Sequence, residues 1–360
     1  MKKILLTVNN NKLSGIEMFT LLLAVYLDKS KYKVEVGVPV YGSYCEILKE
    51  KKIDFFIFEN KITGGFTFSG FKYLLKKIKK EKYDIIHAQA GIAPCVIGKL
   101  MGVNLLIEHK HGLDFTSEQI DGMNRFRLFY QRIKKYFVDW TLTGCEADRQ
   151  VLINRYNYND VKVKVLYNGI ENEKSETPKL PNVKFTIGTI GRLTFQKGQE
   201  YFIEMAKILK DRGFDFDYHI YGEGEKEKEY NELILKYELT ENVLLKGYTK
   251  NISETLNSFD LFVLPSRYEG IPYVVLEAMK ESVPVLATDV GGMNEVIKNK
   301  LNGVLVKKEC AEELAEETIA IYKSVEFRNS IIQNARKDFE EKYTIEKTIK
   351  TIESVYSQIK

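Results

Sequence analysis

Apolar runs of strand length recur along the chain at 4–8, 34–38, 55–58, 85–87, 105–107, 140–143 and 163–166, and each is followed by a stretch of helical period. Runs such as 4–8, 55–58 and 105–107 are apolar at successive positions and so on both faces. A strand covered on both faces by helices needs that pattern, so the segments predict βαβ units building a parallel sheet. The alternation lapses between 168 and 182, where Asn168-Gly169, a charged stretch, Pro178 and Pro181 read as a linker over 171–182. It restarts at 183–190 and continues at 216–221, 243–245, 261–264, 285–287 and 304–306. The fold class expected is α/β, with two Rossmann-like doubly wound domains, 1–170 and 183–343, facing a cleft. Beyond Glu309 the chain reads as helix to its end, broken only near Lys342-Tyr343-Thr344, with Thr344 as N-cap and Glu346 close behind.

Composition supports a folded, two-domain chain. At 360 residues with 44% hydrophobic and 12% aromatic content, the protein is too long for one compact core and too apolar for disorder. No apolar run reaches 18 residues, so no transmembrane segment is expected. The N-terminal Ile4-Leu5-Leu6-Thr7-Val8 runs into Asn9-Asn10-Asn11-Lys12 where the core of a secretory signal would continue, so it reads as a first strand and the protein as cytoplasmic. Cys45, Cys95, Cys145 and Cys310 are too widely spaced for a metal knuckle and read as small buried hydrophobes. His109 and His111 share one strand face, yet no third ligand lies near them in sequence.

The net charge of +4 conceals an asymmetry. Residues 1–175 carry 28 Lys and Arg against 19 Asp and Glu, whereas 176–360 carry 26 against 31. The halves therefore face different electrostatic tasks.

Ligands of open parallel sheets bind beyond the carboxyl ends of the strands, where helix N-termini and loop amides converge. After the run at 183–190 stands Gly191-Arg192-Leu193-Thr194-Phe195-Gln196-Lys197-Gly198, leading into a helix. Arg192 and Lys197 place two cations over a helix N-terminus, which suits a diphosphate; two solvated surface cations are the alternative. The glycine spacing and the Lys-Ser/Thr pair of a phosphate-binding ATPase loop are missing. After 261–264 comes Pro265-Ser266-Arg267-Tyr268-Glu269-Gly270-Ile271-Pro272-Tyr273, with Glu277 further on. Pro272 suits a first helical turn, so Glu269 should lie in the loop at the helix mouth and Glu277 more than a turn along, with the amides of Gly270, Ile271 and Tyr273 open to an anion or hydroxyl. A third segment, Asp289-Val290-Gly291-Gly292, allows close backbone approach, and Gly15 in Ser14-Gly15-Ile16-Glu17 lets the first turn meet a phosphate.

The run from Arg267-Tyr268-Glu269-Gly270 through Leu276-Glu277-Ala278-Met279, followed by Val283-Pro284-Val285, Gly291-Gly292, Glu295 and Asn302-Gly303-Val304-Leu305-Val306, resembles the retaining GT-B glycosyltransferases of family 4, whose second domain carries a Glu-x7-Glu signature. The resemblance covers almost the whole chain. Two positions depart from it: Ser282 stands where the family usually has glycine, and Ser14-Gly15 where it has a glycine pair.

The resemblance implies a nucleotide-sugar site in the second domain. Arg192 and Lys197 match its diphosphate cations, Glu277 the carboxylate on the ribose hydroxyls and Glu269 the one beside the donor sugar. The base would lie against Lys246-Gly247-Tyr248-Thr249, with Tyr248 stacking or lending its backbone, or being a surface tyrosine only. His111, followed by Gly112, matches a first-domain position facing the donor sugar, while His109 reads as packed. The resemblance also implies that the last helix, 344–360, packs back on the first domain, that hinges near 168–181 and Lys342 close the cleft, and that transfer proceeds by same-face exchange with retention. No metal or other cofactor is expected, because Arg192 and Lys197 take a divalent ion's place; Asp215-Phe216-Asp217 mimics a metal-binding triplet but precedes a strand.

The expected activity is transfer of a hexosyl unit from a nucleoside diphosphate sugar, UDP favoured and GDP possible, to a saccharide or lipid-linked hydroxyl in surface polysaccharide assembly. A UDP-N-acetylhexosamine 2-epimerase of the same architecture and a non-catalytic two-lobed sugar-binding protein are the alternatives. Two basic stretches with interleaved aromatics, 71–83 and 125–137, suit an anionic membrane surface at the inner face of the cell membrane, or else are packed helices with a cationic solvent face. No nucleic-acid reader motif is present.

Overall fold

The protein is described from a computed structural model, which covers residues 1–59, 67–89, 91–112, 122, 124–173 and 182–359. The chain divides into two compact units, Met1–Gly169 with Ile345–Lys360, and Ile170–Thr344. Pro178 and Pro181, in the expected linker, lie outside the described residues.

The first unit is built from β1 (Lys2–Thr7), α1 (Gly15–Tyr26), β2 (Tyr32–Val38), α2 (Ser43–Glu50), β3 (Asp54–Ile57), α3 (Phe68–Glu81), β4 (Ile85–Ala88), α4 (Ala93–Leu100), β5 (Leu105–Lys110), α5 (Arg125–Ile133), β6 (Trp140–Thr143), α6 (Glu146–Asn154) and β7 (Val163–Val165). Its sheet is parallel, in the order β3-β2-β1-β4-β5-β6-β7. All four side chains of β4 are buried, as are Ile4, Leu5 and Leu6 of β1, so the consecutive apolar runs reflect helices on both faces.

The second unit runs β8 (Thr186–Ile190), α7 (Gln199–Asp211), β9 (Asp217–Tyr221), α8 (Glu227–Lys236), β10 (Val243–Gly247), α9 (Ile252–Asn257), β11 (Leu261–Leu264), α10 (Tyr273–Glu281), β12 (Val285–Thr288), α11 (Met293–Val296), β13 (Val304–Val306), α12 (Ala311–Lys323) and α13 (Val325–Lys342). Its parallel order is β10-β9-β8-β11-β12-β13. Each sheet reverses its winding once, at β1/β4 and at β8/β11. Such a switch point leaves a crevice at the strand ends where a ligand fits.

Four expectations need correction. The run at 183–190 forms a strand only from Thr186, since Val183 is fully exposed and gains nothing from pairing. Pro272 is the N-cap of α10 and not a residue of its first turn. The C-terminal helical stretch also breaks at Ser324, whose hydroxyl accepts from the Phe327 amide at 3.1 Å and starts α13 afresh. Ile170 belongs to the second unit, where its amide donates to the Tyr343 carbonyl at 3.0 Å.

The last helix, α14 (Ile345–Tyr356), belongs to the first unit. It buries Ile345, Ile349, Ile352 and Val355, and its Thr348 hydroxyl donates to the Tyr167 carbonyl at 2.9 Å. None of the four cysteines forms a disulfide, and Cys45, Cys95 and Cys145 are buried. Among the described residues no helix is long and apolar enough to cross a membrane.

Candidate active site

In the second unit the switch point lies between β8 and β11, and the loops leaving those two strands are bound to each other. Gln196 donates its side-chain amide to the Tyr268 carbonyl at 3.1 Å and accepts the Arg267 amide on its own carbonyl at 2.8 Å. Arg267 closes the clamp. Its guanidinium meets Glu200 at 2.8 Å and Glu309 at 2.6 Å, donates to the Phe195 carbonyl at 2.7 Å, and covers the rings of Phe195 and Tyr201 at 3.9 and 4.9 Å. Paired carboxylates hold its pKa above the ordinary arginine value against the cost of burial.

This clamp sets the two loop residues expected to matter most side by side. Lys197 Nζ donates to Glu269 Oε1 at 2.6 Å, and the buried Ser266 hydroxyl donates to the same oxygen at 2.6 Å. The Ser266 carbonyl in turn accepts from Thr288 Oγ1 at 2.5 Å, which ties in the end of β12. The loop after β12 lies against the backbone of Glu269. Gly291 has φ +55°, and a Cβ there would stand 1.8 Å from the Glu269 carbonyl oxygen, so only glycine fits. Gly222, at the end of β9, plays the same part for the other loop, since its Cβ would stand 1.9 Å from the Gly191 carbonyl oxygen. Gly222 also donates its amide to the Gly247 carbonyl at 2.8 Å, which brings Tyr248, exposed at the end of β10, to the same edge of the sheet.

Arg192 is exposed on the loop after β8. Gly270 and Ile271 lead to Pro272 and the N-terminus of α10, where Val275 donates its amide to the Pro272 carbonyl at 3.1 Å and the amides of Tyr273 and Val274 have no carbonyl to bond within the helix. Glu277 lies one turn beyond Tyr273. Burial pushes the Glu277 carboxyl up to about 7, with Lys280 drawing it down and Glu281 pushing it further up. Glu277 accepts no hydrogen bond from any described residue. The Tyr273 hydroxyl is buried without a partner, and burial together with Glu277 raises its pKa well above the ordinary tyrosine value. Asp215 and Asp217 stand at the entry end of β9, with Asp215 paired to Lys184 at 2.7 Å; they are not with these loops.

In the first unit three imidazoles form a column. His87, on β4, stacks on His109 of β5 with centroids 5.5 Å apart, and His109 stacks on His111 at 3.9 Å. Phe19 of α1 meets the rings of His109 and His111 edge-on at 4.7 and 4.9 Å. His109 is packed, as the sequence suggested, and neither of its ring nitrogens has a partner. His87 Nδ1 bonds the Tyr356 hydroxyl of α14 at 2.8 Å, and His111 Nε2 bonds Gln89 Oε1 at 2.8 Å. Burial pulls His87 and His111 down to about 3 and His109 well below the ordinary histidine value, so the column is uncharged at neutral pH. Gly15 is the first residue of α1 and is exposed. Beside it the buried Glu17 accepts a hydrogen bond from the Ser14 hydroxyl, and its pKa is raised by desolvation.

Sequence reasoning passed over Ser266, Thr288, Gln89 and Glu17, and read Arg267 only as part of a motif. Arg267 and Ser266 had one signal available: both directly follow a strand that ends at a switch point. Gln89 had the same signal on β4. Glu17 stands three residues after Ser14, the spacing of a helix capping box.

Two doubly wound parallel units in one chain, with Lys197, Glu269 and Ser266 joined at the switch point of the second, place the protein in the GT-B fold class. A family model described as Glycosyl transferases group 1 matches residues 170–338, and one described as Glycosyltransferase Family 4 matches residues 13–174. The chain therefore belongs to the family 4 glycosyltransferases of GT-B fold, and it is a glycosyltransferase. It is 27% identical to the UDP-Gal:alpha-D-GlcNAc-diphosphoundecaprenol alpha-1,3-galactosyltransferase of Escherichia coli, over 79% of this chain and 77% of the relative. It is likewise 27% identical to the capsular polysaccharide biosynthesis glycosyltransferase CapM of Staphylococcus aureus, over 90% of this chain and 95% of the relative. The crystal structure of Anabaena HepE in complex with UDP shares the fold with a TM-score of 0.85 and 20% identity, covering 99% of this chain and all of that one.

Proposed function

We propose that the protein transfers a hexosyl unit from a UDP-sugar to a hydroxyl of a saccharide or lipid-linked acceptor in surface polysaccharide assembly, with retention at the anomeric carbon and without a metal ion. The observation that carries this reading is the Lys197–Glu269–Ser266 cluster at the β8/β11 switch point, with Arg192 and Glu277 on the flanking segments. The E. coli relative is named for a UDP-sugar donor and a diphosphoundecaprenol-linked acceptor, and HepE was crystallised with UDP. Both names favour uridine for this chain, and the E. coli name alone favours a lipid-linked saccharide.

The chemistry follows from where charge develops. The bond from the anomeric carbon to the diphosphate breaks, the acceptor oxygen bonds to the same face of that carbon, and the acceptor proton passes to the departing phosphate oxygen. Negative charge grows on the diphosphate, so Arg192, Lys197 and the amides at the start of α10 lower the barrier by being in place beforehand. Glu269 holds Lys197 and leaves its second oxygen for a sugar hydroxyl. Glu277 accepts from the ribose hydroxyls, Tyr248 flanks the base, and His111 bonds a hydroxyl of the transferred sugar. Two resident cations serve the leaving group as a divalent ion would. The enzyme works at the inner face of the membrane, docked through the exposed aromatic and basic side chains of α5.

A thermal-shift panel of UDP-, GDP- and ADP-sugars, followed by nucleotide release with the best binder and a lipid-linked saccharide, tests the reading. UDP-sugars should raise Tm most, release should need acceptor and survive EDTA, and the product should keep the donor's anomeric configuration. An absolute need for added manganese, or an inverted product, would overturn the corresponding part.

A further inference from the structure

The column of imidazoles ends in an asymmetric contact. His111 Nε2 stands 2.8 Å from Gln89 Oε1, and an amide oxygen can only accept a hydrogen bond. With the amide oxygen facing the ring, the hydrogen between them belongs to Nε2. The ring cannot rotate away from this arrangement, since one face lies on His109 at 3.9 Å and Phe19 meets it edge-on at 4.9 Å. Gln89 is almost fully buried and immediately follows β4, the strand on one side of the first unit's switch point, so the amide is itself held in place. Its backbone amide donates to the Thr7 carbonyl of β1 at 3.0 Å, which anchors the residue to the sheet, and its side-chain Nε2 has no partner.

We propose that Gln89 is a positioning residue for transfer: it fixes His111 as the neutral Nε2–H tautomer and thereby leaves Nδ1 as a hydrogen-bond acceptor for a substrate hydroxyl. This rests on the glycosyl-transfer reading of His111 and narrows it. A histidine that only accepts orients an O–H group and adds no positive charge. Positive charge develops at the anomeric carbon during glycosyl transfer, so an imidazolium near it would raise the barrier while a neutral ring does not. The rest of the column serves the same end. His109 has neither nitrogen bonded and His87 is tied to the Tyr356 hydroxyl, so no proton-donating chain reaches His111 from beneath.

Long-range ¹H–¹⁵N correlation spectra of histidine-labelled protein read the tautomer directly, with a His111→Asn variant assigning the ring among the four histidines. Nε2–H should be the neutral form throughout pH 8 to 5. Nδ1–H, or an imidazolium at pH 7, overturns the proposal. In Gln89→Leu the tautomer signature should shift toward a mixture, with kcat lowered at least about tenfold and KM nearly unchanged. Gln89→Glu should place a carboxylate against Nε2, raise the pKa of His111 and bring an acidic limb into the pH profile of kcat. An unchanged tautomer in Gln89→Leu, or a changed tautomer with full kcat, also overturns it. The spectra need no substrate, so a donor or acceptor wrongly chosen for the assay would show as an inactive wild type with the Nε2–H signature intact.

Discussion

At the residue scale, Glu277 carries the sharpest pH signature. Its carboxyl is pushed up to about 7, so it is part protonated at neutral pH. An ionised carboxylate accepts from both ribose hydroxyls, whereas the protonated form loses acceptor capacity. Donor affinity should therefore rise with pH through about 7, by up to roughly tenfold per unit on the acidic side. Calorimetry between pH 6 and 8 with a nucleotide sugar tests this, because its diphosphate diester has no ionisation in that window. Glu277→Gln should flatten the profile, and a flat wild-type profile would remove the ribose role. Stability runs the other way: the native state holds this proton between the unfolded value near 4.5 and about 7, so Glu277 costs stability as pH rises across that range. The uncharged His87 and His111 oppose it, since the unfolded chain gains their protons below about 6.5 and stability falls from there toward about pH 3. The two carboxylates and the histidines had visible signals in sequence, namely spacing and position after a strand. Gln89 and Ser266 shared the position after a strand but no spacing motif, because their roles consist of single hydrogen bonds to residues 22 and 3 positions away. At Ser282 the departure from glycine did not change the backbone: the serine holds the left-handed φ of +62° that ends α10.

At the element scale, the central strands β4, β11 and β12 were legible because a parallel strand between two helix layers must be apolar at consecutive positions, while β9 showed as alternation. Ends were less so. Val183 is apolar yet fully exposed, and the break at Ser324 depends on one side-chain cap that competes with continuous helical periodicity. The loops were legible as places but not as a joined structure, since what joins them is Arg267. Its side chain is 11% exposed and that of its partner Glu200 is 16% exposed, so this pair is screened little by solvent, while Glu309 at 44% contributes less. Arg267→Ala leaves Glu200 uncompensated and bares two aromatic faces, which should cost about 3 kcal/mol of stability. It should also weaken donor binding by freeing the loop that carries Lys197. Arg267→Lys should restore little of either, because an ammonium cannot lie flat on Phe195 while forking to two carboxylates. Thermal unfolding and nucleotide-sugar affinity of the two variants check this; a lysine variant matching the wild type in both would show that charge alone suffices.

At the scale of the whole molecule, sorting charge by structural unit sharpens the asymmetry that sequence halves showed. The unit made of Met1–Gly169 and Ile345–Lys360 carries 30 Lys and Arg against 19 Asp and Glu, and the other carries 24 against 31. The two basic stretches that suggested a membrane surface differ in structure. On α3, Leu74 and Ile78 enter the core and Lys77 pairs with Glu35 at 2.7 Å, which fits a packed helix with a lysine-rich outer face. On α5 no side chain is buried, and Phe126, Phe129 and Tyr130 are exposed beside Arg125, Arg127 and Arg132, with Tyr136 exposed just beyond. Apolar rings flanked by guanidinium groups complement the interface of an anionic bilayer, where each cation near the surface adds about 1 kcal/mol. Three arginines then give roughly a hundredfold in partitioning, additional to the rings. The protein should sediment with anionic vesicles at low salt, be released as salt shortens the Debye length to a few ångströms, and ignore neutral vesicles. Replacing Phe126 and Phe129 by serine should weaken binding at every salt concentration. Replacing Arg125, Arg127 and Arg132 by glutamine should instead remove its salt dependence, so the two variants separate insertion from attraction. Absence of binding to anionic vesicles at low salt would detach the acceptor site from the membrane and leave a soluble saccharide as the acceptor class to test.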